Sequence, residues 1–116
     1  ELPGSGAAGG LGAAFAALGA DLVPGASAVL DFLGFDERLA GHDLVVTGEG
    51  QIDVTTAEGK APGEIARRCS AAGVRCVFFG GRVRVEVAGA ETIELSGERS
   101  QAEADLVDLG RRLALT

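Results

Sequence analysis

The chain has 116 residues, 47% of them apolar, which suffices for one modest buried core of single-domain size. Ten basic residues stand against 17 acidic ones, a net charge of −7 scattered along the chain, and this excludes the clustered basic face that nucleic acid or an anionic membrane requires. No apolar run approaches the roughly 18 residues of a membrane span and no charged-then-apolar leader is present, so a cytoplasmic protein is expected.

Residues 6–19 are small and apolar, with Leu11, Phe15 and Leu18 at helical spacing, which predicts a buried helix ending at Gly19. Pro24-Gly25 signals a turn. Val29, Leu30, Phe32 and Leu33 then predict a second helix closed by Gly34, with a short helical turn over 36–40. From Asp43 the period changes: Leu44-Val45-Val46-Thr47 reads as a short strand buried on both faces, stopping at Gly48-Glu49-Gly50. A polar loop runs on to Lys60. Pro62 suits the first turn of a helix carrying Ile65, Ala66 and Cys69 on one side, with Gly73 just past its end. The next strand spans 74–79 and ends in Gly80-Gly81. The alternation over 83–87 fits a short strand or a loop, and 91–95 reads as a strand. Ser100 and Glu103 make a capping-box pair before the last helix, whose apolar stripe is Ala102, Leu106, Leu109 and Leu113.

Strand, helix, strand, strand, helix is the rhythm of an α/β fold with a parallel, Rossmann-like sheet, expected to hold Val45, Val77 and Ile93 inside. The composition shifts near Gly41, which places a boundary between a helical Gly/Ala-rich segment, 1–41, and a βα segment, 42–116. Methionine is absent and Glu1-Leu2-Pro3-Gly4 runs straight into glycine-rich sequence, which suggests part of a longer chain. Cys69 and Cys76 match no common metal spacing and read as reduced core residues. His42, the only histidine, reads as a surface residue beside Asp43.

Two segments stand out chemically. Gly4-Ser5-Gly6-Ala7-Ala8-Gly9 satisfies G-x-G-x-x-G, in which glycines let a backbone approach a pyrophosphate at a helix N-terminus. That fingerprint needs a strand directly before it, and only three residues precede it; close helix packing is the better account of the small residues. The second segment, 48–62, leaves the carboxyl end of a buried strand, where ligands bind in open α/β sheets. It gathers glycines, Glu49, Asp53, Thr55, Thr56 and the only lysine, Lys60. Gly59-Lys60 is not a Walker A motif, because Ala61 stands where Ser or Thr is needed and Val54 where glycine is needed.

Taken in order, Pro-Gly-Ser-Gly-Ala-Ala-Gly-Gly-Leu-Gly at 3–12, Asp43-Leu44-Val45-Val46-Thr47-Gly48-Glu49-Gly50-Gln51-Ile52-Asp53 and Gly59-Lys60-Ala61-Pro62 resemble the bacterial glycerate kinase family. The resemblance covers essentially the whole chain and weakens after Gly81. Gln51 stands where an arginine is often found, so no charge–charge role falls to it. The resemblance implies a larger two-domain α/β kinase with its site between domains, of which this chain is roughly the last third. Residues 1–41 would end the second α/β domain, and an N-terminal remainder of the same chain would complete the site. It also implies transfer of the γ-phosphate of ATP to a hydroxyl of D-glycerate, with Mg²⁺.

Phosphoryl transfer asks for cations and donors on the phosphates, carboxylates on Mg²⁺ and a group that orients or deprotonates the attacking hydroxyl. By residue type, Lys60 could contact a phosphate or the glycerate carboxylate. Glu49 and Asp53 could bind Mg²⁺ or take the substrate proton. Thr55 and Thr56 could supply hydroxyl donors, Gly48 and Gly50 close backbone approach, and Gly4, Ser5 and Gly6 a further phosphate- or substrate-binding turn. Two other readings compete. One is an NAD(P)-binding fragment of an oxidoreductase, with Gly4, Gly6 and Gly9 on the dinucleotide and Asp21 or Asp31 on the ribose. The other is a non-catalytic acidic interaction module, which leaves the crowding of the 48–60 loop unexplained.

Overall fold

The computed structural model describes residues 3–57 and 60–115. Three parallel strands form its sheet in the order β1 (Leu44–Ile52), β2 (Arg75–Val83), β3 (Glu91–Glu94). Before the sheet come α1 (Ala7–Ala17), α2 (Gly25–Phe32) and α3 (Phe35–Leu39). Between β1 and β2 lie the single turn α4 (Val54–Ala57) and α5 (Ala61–Ala72). A 3₁₀ turn, Arg99–Gln101, leads into α6 (Ala102–Ala114). The expected α/β class with a parallel sheet is what the chain adopts.

Both long strands outrun their sequence expectation. β1 does not stop at Gly48-Glu49-Gly50; it continues to Ile52, paired Glu49↔Gly80, Gln51↔Arg82 and Ile52↔Val83. Glycine is a poor strand residue in isolation, but here the facing strand occupies the space a side chain would need. A Cβ on Gly48 would lie 2.4 Å from the Phe79 ring, and one on Gly80 would lie 2.9 Å from Ile52. Of the residues at 83–87, Val83 ends β2 and the rest form an irregular return toward β3, with Val87 buried.

Pro62 stands in the first turn of α5, and Gly73, at φ 70°, ends it in the left-handed conformation that spares glycine a Cβ clash. Ala66 and Cys69 face the core, with Leu39, Ile52, Cys76, Phe78 and Val87, while Ile65 and Val45 pack against it partly buried. Val77 is fully buried and Ile93 half-buried. The two cysteines are free thiols inside this core, as expected. Burial pushes both up, Cys76 to about 12, so neither is a ready thiolate.

Arg68 joins α5 to the helices that precede the sheet. Its side chain, only 6% exposed, meets Glu64 at 2.9 Å, Asp31 at 2.7 Å and Asp36 at 3.2 Å, and donates to the Ser27 hydroxyl. A guanidinium has five N–H donors, and this buried one is surrounded by acceptors.

Two helices depart from expectation. The expected capping box does not form: Ser100 lies inside the 3₁₀ turn, and the cap position of α6 is Gln101, which makes no side-chain cap bond. Instead Asp105 accepts from the Ser96 amide at 3.2 Å and from its hydroxyl, tying the preceding loop to the first turns. Of the stripe, Leu109 is 2% exposed while Leu106 is 45% exposed, so the helix buries a narrower face than its periodicity suggests. The expected buried first helix is not buried either. No residue of α1 is buried; Leu11, Phe15 and Leu18 are exposed, and α1 packs on no other described helix or strand. Ala8, Gly9 and Gly10 have positive φ, which interrupts the helix where alanine and glycine supply little side chain to hold it.

Candidate active site at the carboxyl edge of the sheet

Parallel strands deliver their carboxyl ends to one edge, and three glycines there bring three backbones together. A Cβ on Gly81 would lie 3.0 Å from the Gly50 carbonyl oxygen, and one on Gly97 would lie 2.7 Å from that of Gly81. Above this edge is a cleft of about 560 Å³. One wall is Gly48-Glu49-Gly50 with Phe79 and Gly81; the other is the 95–99 segment and the first turns of α6, including Arg99, Ala102 and Asp105.

Sequence reasoning singled out Gly48, Glu49 and Gly50 on the first wall, but neither Phe79 nor Gly81 and no residue of the second. Gly97 was the available signal, a glycine soon after the expected strand at 91–95, as Gly48 and Gly81 follow the strands expected at 44–47 and 74–79. Arg99 is the one basic residue lining the cleft, and its side chain makes no hydrogen bond or ion pair among the described residues.

After β1 the chain turns through α4, and Asp53 caps that turn. Its Oδ1 accepts from Thr55 N at 3.0 Å, Thr55 Oγ1 at 2.7 Å and Thr56 N at 3.2 Å. These bonds, the Thr55 hydroxyl first, hold the Asp53 carboxyl below its ordinary value of 3.8 against a partial desolvation, and the Lys60 charge adds to them. Thr56 is fully buried. Its hydroxyl donates to Glu49 Oε2 at 2.8 Å and accepts the Asp53 amide at 3.2 Å.

Glu49, Asp53, Thr55 and Thr56 are thus brought together, with oxygens of both carboxylates within 3.4 Å of Thr56 Oγ1. Gly48 and Gly50 join them on the cleft wall. Lys60 is exposed at the start of α5, and its side chain has no hydrogen bond or ion pair among the described residues; it does not line the cleft. Glu58 and Gly59 lie outside the described residues. Gly4, Ser5 and Gly6 form a turn against Leu22 and Gly12, with Ser5 O accepting from Ala13 N at 3.1 Å, and none of them lines the cleft. Among the described residues, no group of three or more His, Cys, Asp or Glu side chains converges as a metal cage. No helix among them is long and apolar enough to cross a membrane.

The chain is 46% identical over 84 residues to a glycerate kinase of Bacillus cereus, a match covering 72% of this chain and 22% of that protein. It is 48% identical over 63 residues to the glycerate 2-kinase of Escherichia coli, covering 53% and 16%. A crystal structure from Salmonella typhimurium LT2, provisionally named glycerate kinase 2, superposes with a TM-score of 0.66 at 30% identity, over 98% of this chain and 34% of that one. The chain therefore spans about a fifth of the length of the curated relatives it matches. The dinucleotide alternative finds no support: the relatives just described carry glycerate kinase names, and Asp31 is engaged by Arg68. The family model described as the glycerate kinase family matches residues 1–105, and a match over that much of the sequence shows that this chain belongs to the glycerate kinase family.

Proposed function

We propose that the chain is the carboxyl-terminal part of a cytoplasmic, ATP-dependent kinase that phosphorylates a hydroxyl of D-glycerate, completed by an N-terminal remainder of the same polypeptide. In it, 1–41 closes the second α/β domain and 42–116 is a Rossmann-like βα segment. The observation that carries the reading is the placement of Glu49 on a glycine-lined cleft at the carboxyl edge of a parallel sheet, beside the Asp53-capped turn.

The donor set fits a magnesium nucleotide. Mg²⁺ is commonly held by one or two carboxylates together with substrate phosphates, so a protein cage is not required. Glu49 offers Oε1, which accepts no hydrogen bond among the described residues, while Asp53 stands next to it. When bound, Mg²⁺ would neutralise charge on the transferring phosphoryl group.

The chain's own residues do the positioning. Gly50, with open space where its Cβ would be, leaves room for a ligand to approach the strand backbone. Glu49 or Asp53 holds the metal or receives the proton of the attacking hydroxyl. Lys60 supplies a compact positive charge to a phosphate or to the glycerate carboxylate, and Thr55 a hydroxyl at the same turn. Gly4, Ser5 and Gly6 are assigned to a second phosphate- or substrate-binding turn brought into place by the rest of the polypeptide.

The test is an assay of the intact polypeptide with ATP, Mg²⁺ and D-glycerate, identifying the phosphoglycerate isomer, beside the 116-residue chain alone. Turnover by the intact protein and none by the short chain is expected. Absence of glycerate-dependent ATP consumption by the intact protein would overturn the reading; full activity of the short chain would overturn the two-domain part of it.

A further inference from the structure

Thr56 has no exposed surface, so it cannot itself touch a ligand in the described conformation. A hydroxyl has one proton to give and two lone pairs. The Asp53 amide donates into one lone pair at 3.2 Å, which leaves the proton for a carboxylate. Glu49 Oε2 at 2.8 Å competes for it with Asp53 Oδ1 at 3.4 Å, and Asp53 Oδ1 already accepts from Thr55 N, Thr55 Oγ1 and Thr56 N. Glu49 is the better acceptor by distance and by vacancy.

We propose that Thr56 is a positioning residue: its buried hydroxyl fixes the Glu49 carboxylate by one oxygen and leaves the other for the ligand of the cleft. This assigns Thr56 a role through Glu49, in place of direct contact with phosphate or substrate, and it rests on the proposed kinase reading of the cleft. The turn α4 exists in the right place because Asp53 caps it, so the same loop that ends β1 carries the residue that orients a side chain within β1.

The test is a double-mutant cycle in the intact enzyme. Glu49→Gln and Thr56→Val should each lower kcat/KM roughly 10- to 100-fold, the scale of a hydrogen bond to a charged group, and the double variant should be no worse than Glu49→Gln alone. Thr56→Ser, which keeps the hydroxyl, should restore activity to within about threefold of the parent, well inside the tenfold that one such bond is worth. Without any ligand, a crystal structure of Thr56→Val should show Glu49 in a different rotamer and one of Thr56→Ser should not. If the valine variant does not fold, Thr56→Cys, a weak donor of similar size, carries the same cycle.

Additive losses, an unmoved Glu49, or a serine variant as impaired as the valine one would overturn the positioning role while leaving the cleft reading intact. A silent Glu49→Gln would overturn the cleft reading itself, and the role of Thr56 with it.

Discussion

The ring of Phe79 occupies the space that a side chain on Gly48 would need: a Cβ built there lies 2.4 Å from its Cε2 and Cζ. The two residues face each other across β1 and β2, and Phe79 also lines the cleft. Gly48→Ala should therefore displace the ring, costing about 1–3 kcal/mol as an overpacking substitution. Gly50→Ala, with nothing within 4 Å of its Cβ, should stay within about 0.5 kcal/mol. Urea unfolding of both variants measures the contrast; equal costs would show that strand propensity, not the ring, governs the position.

Leu109 is the buried anchor of α6, at 2% exposure against 45% for Leu106 on the same helix. Leu109→Ala should cost roughly 2–5 kcal/mol, the range for a buried leucine leaving a cavity. Leu106→Ala should cost much less. Denaturant midpoints at unchanged slope would check the ordering, and a silent Leu109→Ala would mean that α6 is peripheral to the core.

Glu64 bonds to both Arg67 and Arg68, and the Arg67 side chain first, then that of Arg68, hold its carboxyl down to about 2 from an ordinary 4.5. Because the folded value is the lower one, the unfolded chain binds the proton more readily. The stabilisation is complete above pH 4.5 and fades as pH falls toward about 2. Melting temperature measured down through that window should fall more steeply for the parent than for Glu64→Gln. Parallel curves would show that the ion-pair cluster around Arg68 adds nothing to acid stability.

Lys60 stands exposed at the start of α5, close enough for its charge to act on Asp53 but outside the lining of the cleft. In the intact enzyme Lys60→Ala should remove a charge-assisted contact to the bound anion, worth roughly 1.5–3 kcal/mol, or about a 10- to 150-fold loss in kcat/KM. Lys60→Arg should recover only part, since a planar fork does not replace a compact ammonium. If Lys60→Ala leaves kcat and both KM values within about twofold, a difference too small for a charged contact, the cation for the ligand becomes Arg99, which does line the cleft.

Local chemistry was enough to read some of this molecule from its residues. The Pro62 start and Gly73 stop of α5, the apolar stretches of β1 and β2, and the gathering of Glu49, Asp53 and Lys60 along one stretch from the end of β1 to the start of α5 all follow from short-range preferences that hold wherever the segment goes. Other features depended on what lies opposite. Gly48-Glu49-Gly50 is strand because β2 runs beside it, and a run of glycines does not announce its partner. The capping box at Ser100 lost to a bond between Ser96 and Asp105, which only the approach of the 95–98 loop makes available. The apolar spacing of Leu11, Phe15 and Leu18 is visible in one dimension, but whether anything covers it is a property of neighbours, and none of the described elements does. The same holds for Thr56: residue type says that a hydroxyl is present, and only the turn of α4 beneath β1 decides that its proton goes to Glu49, because hydrogen-bond direction is set by distance and vacancy in three dimensions.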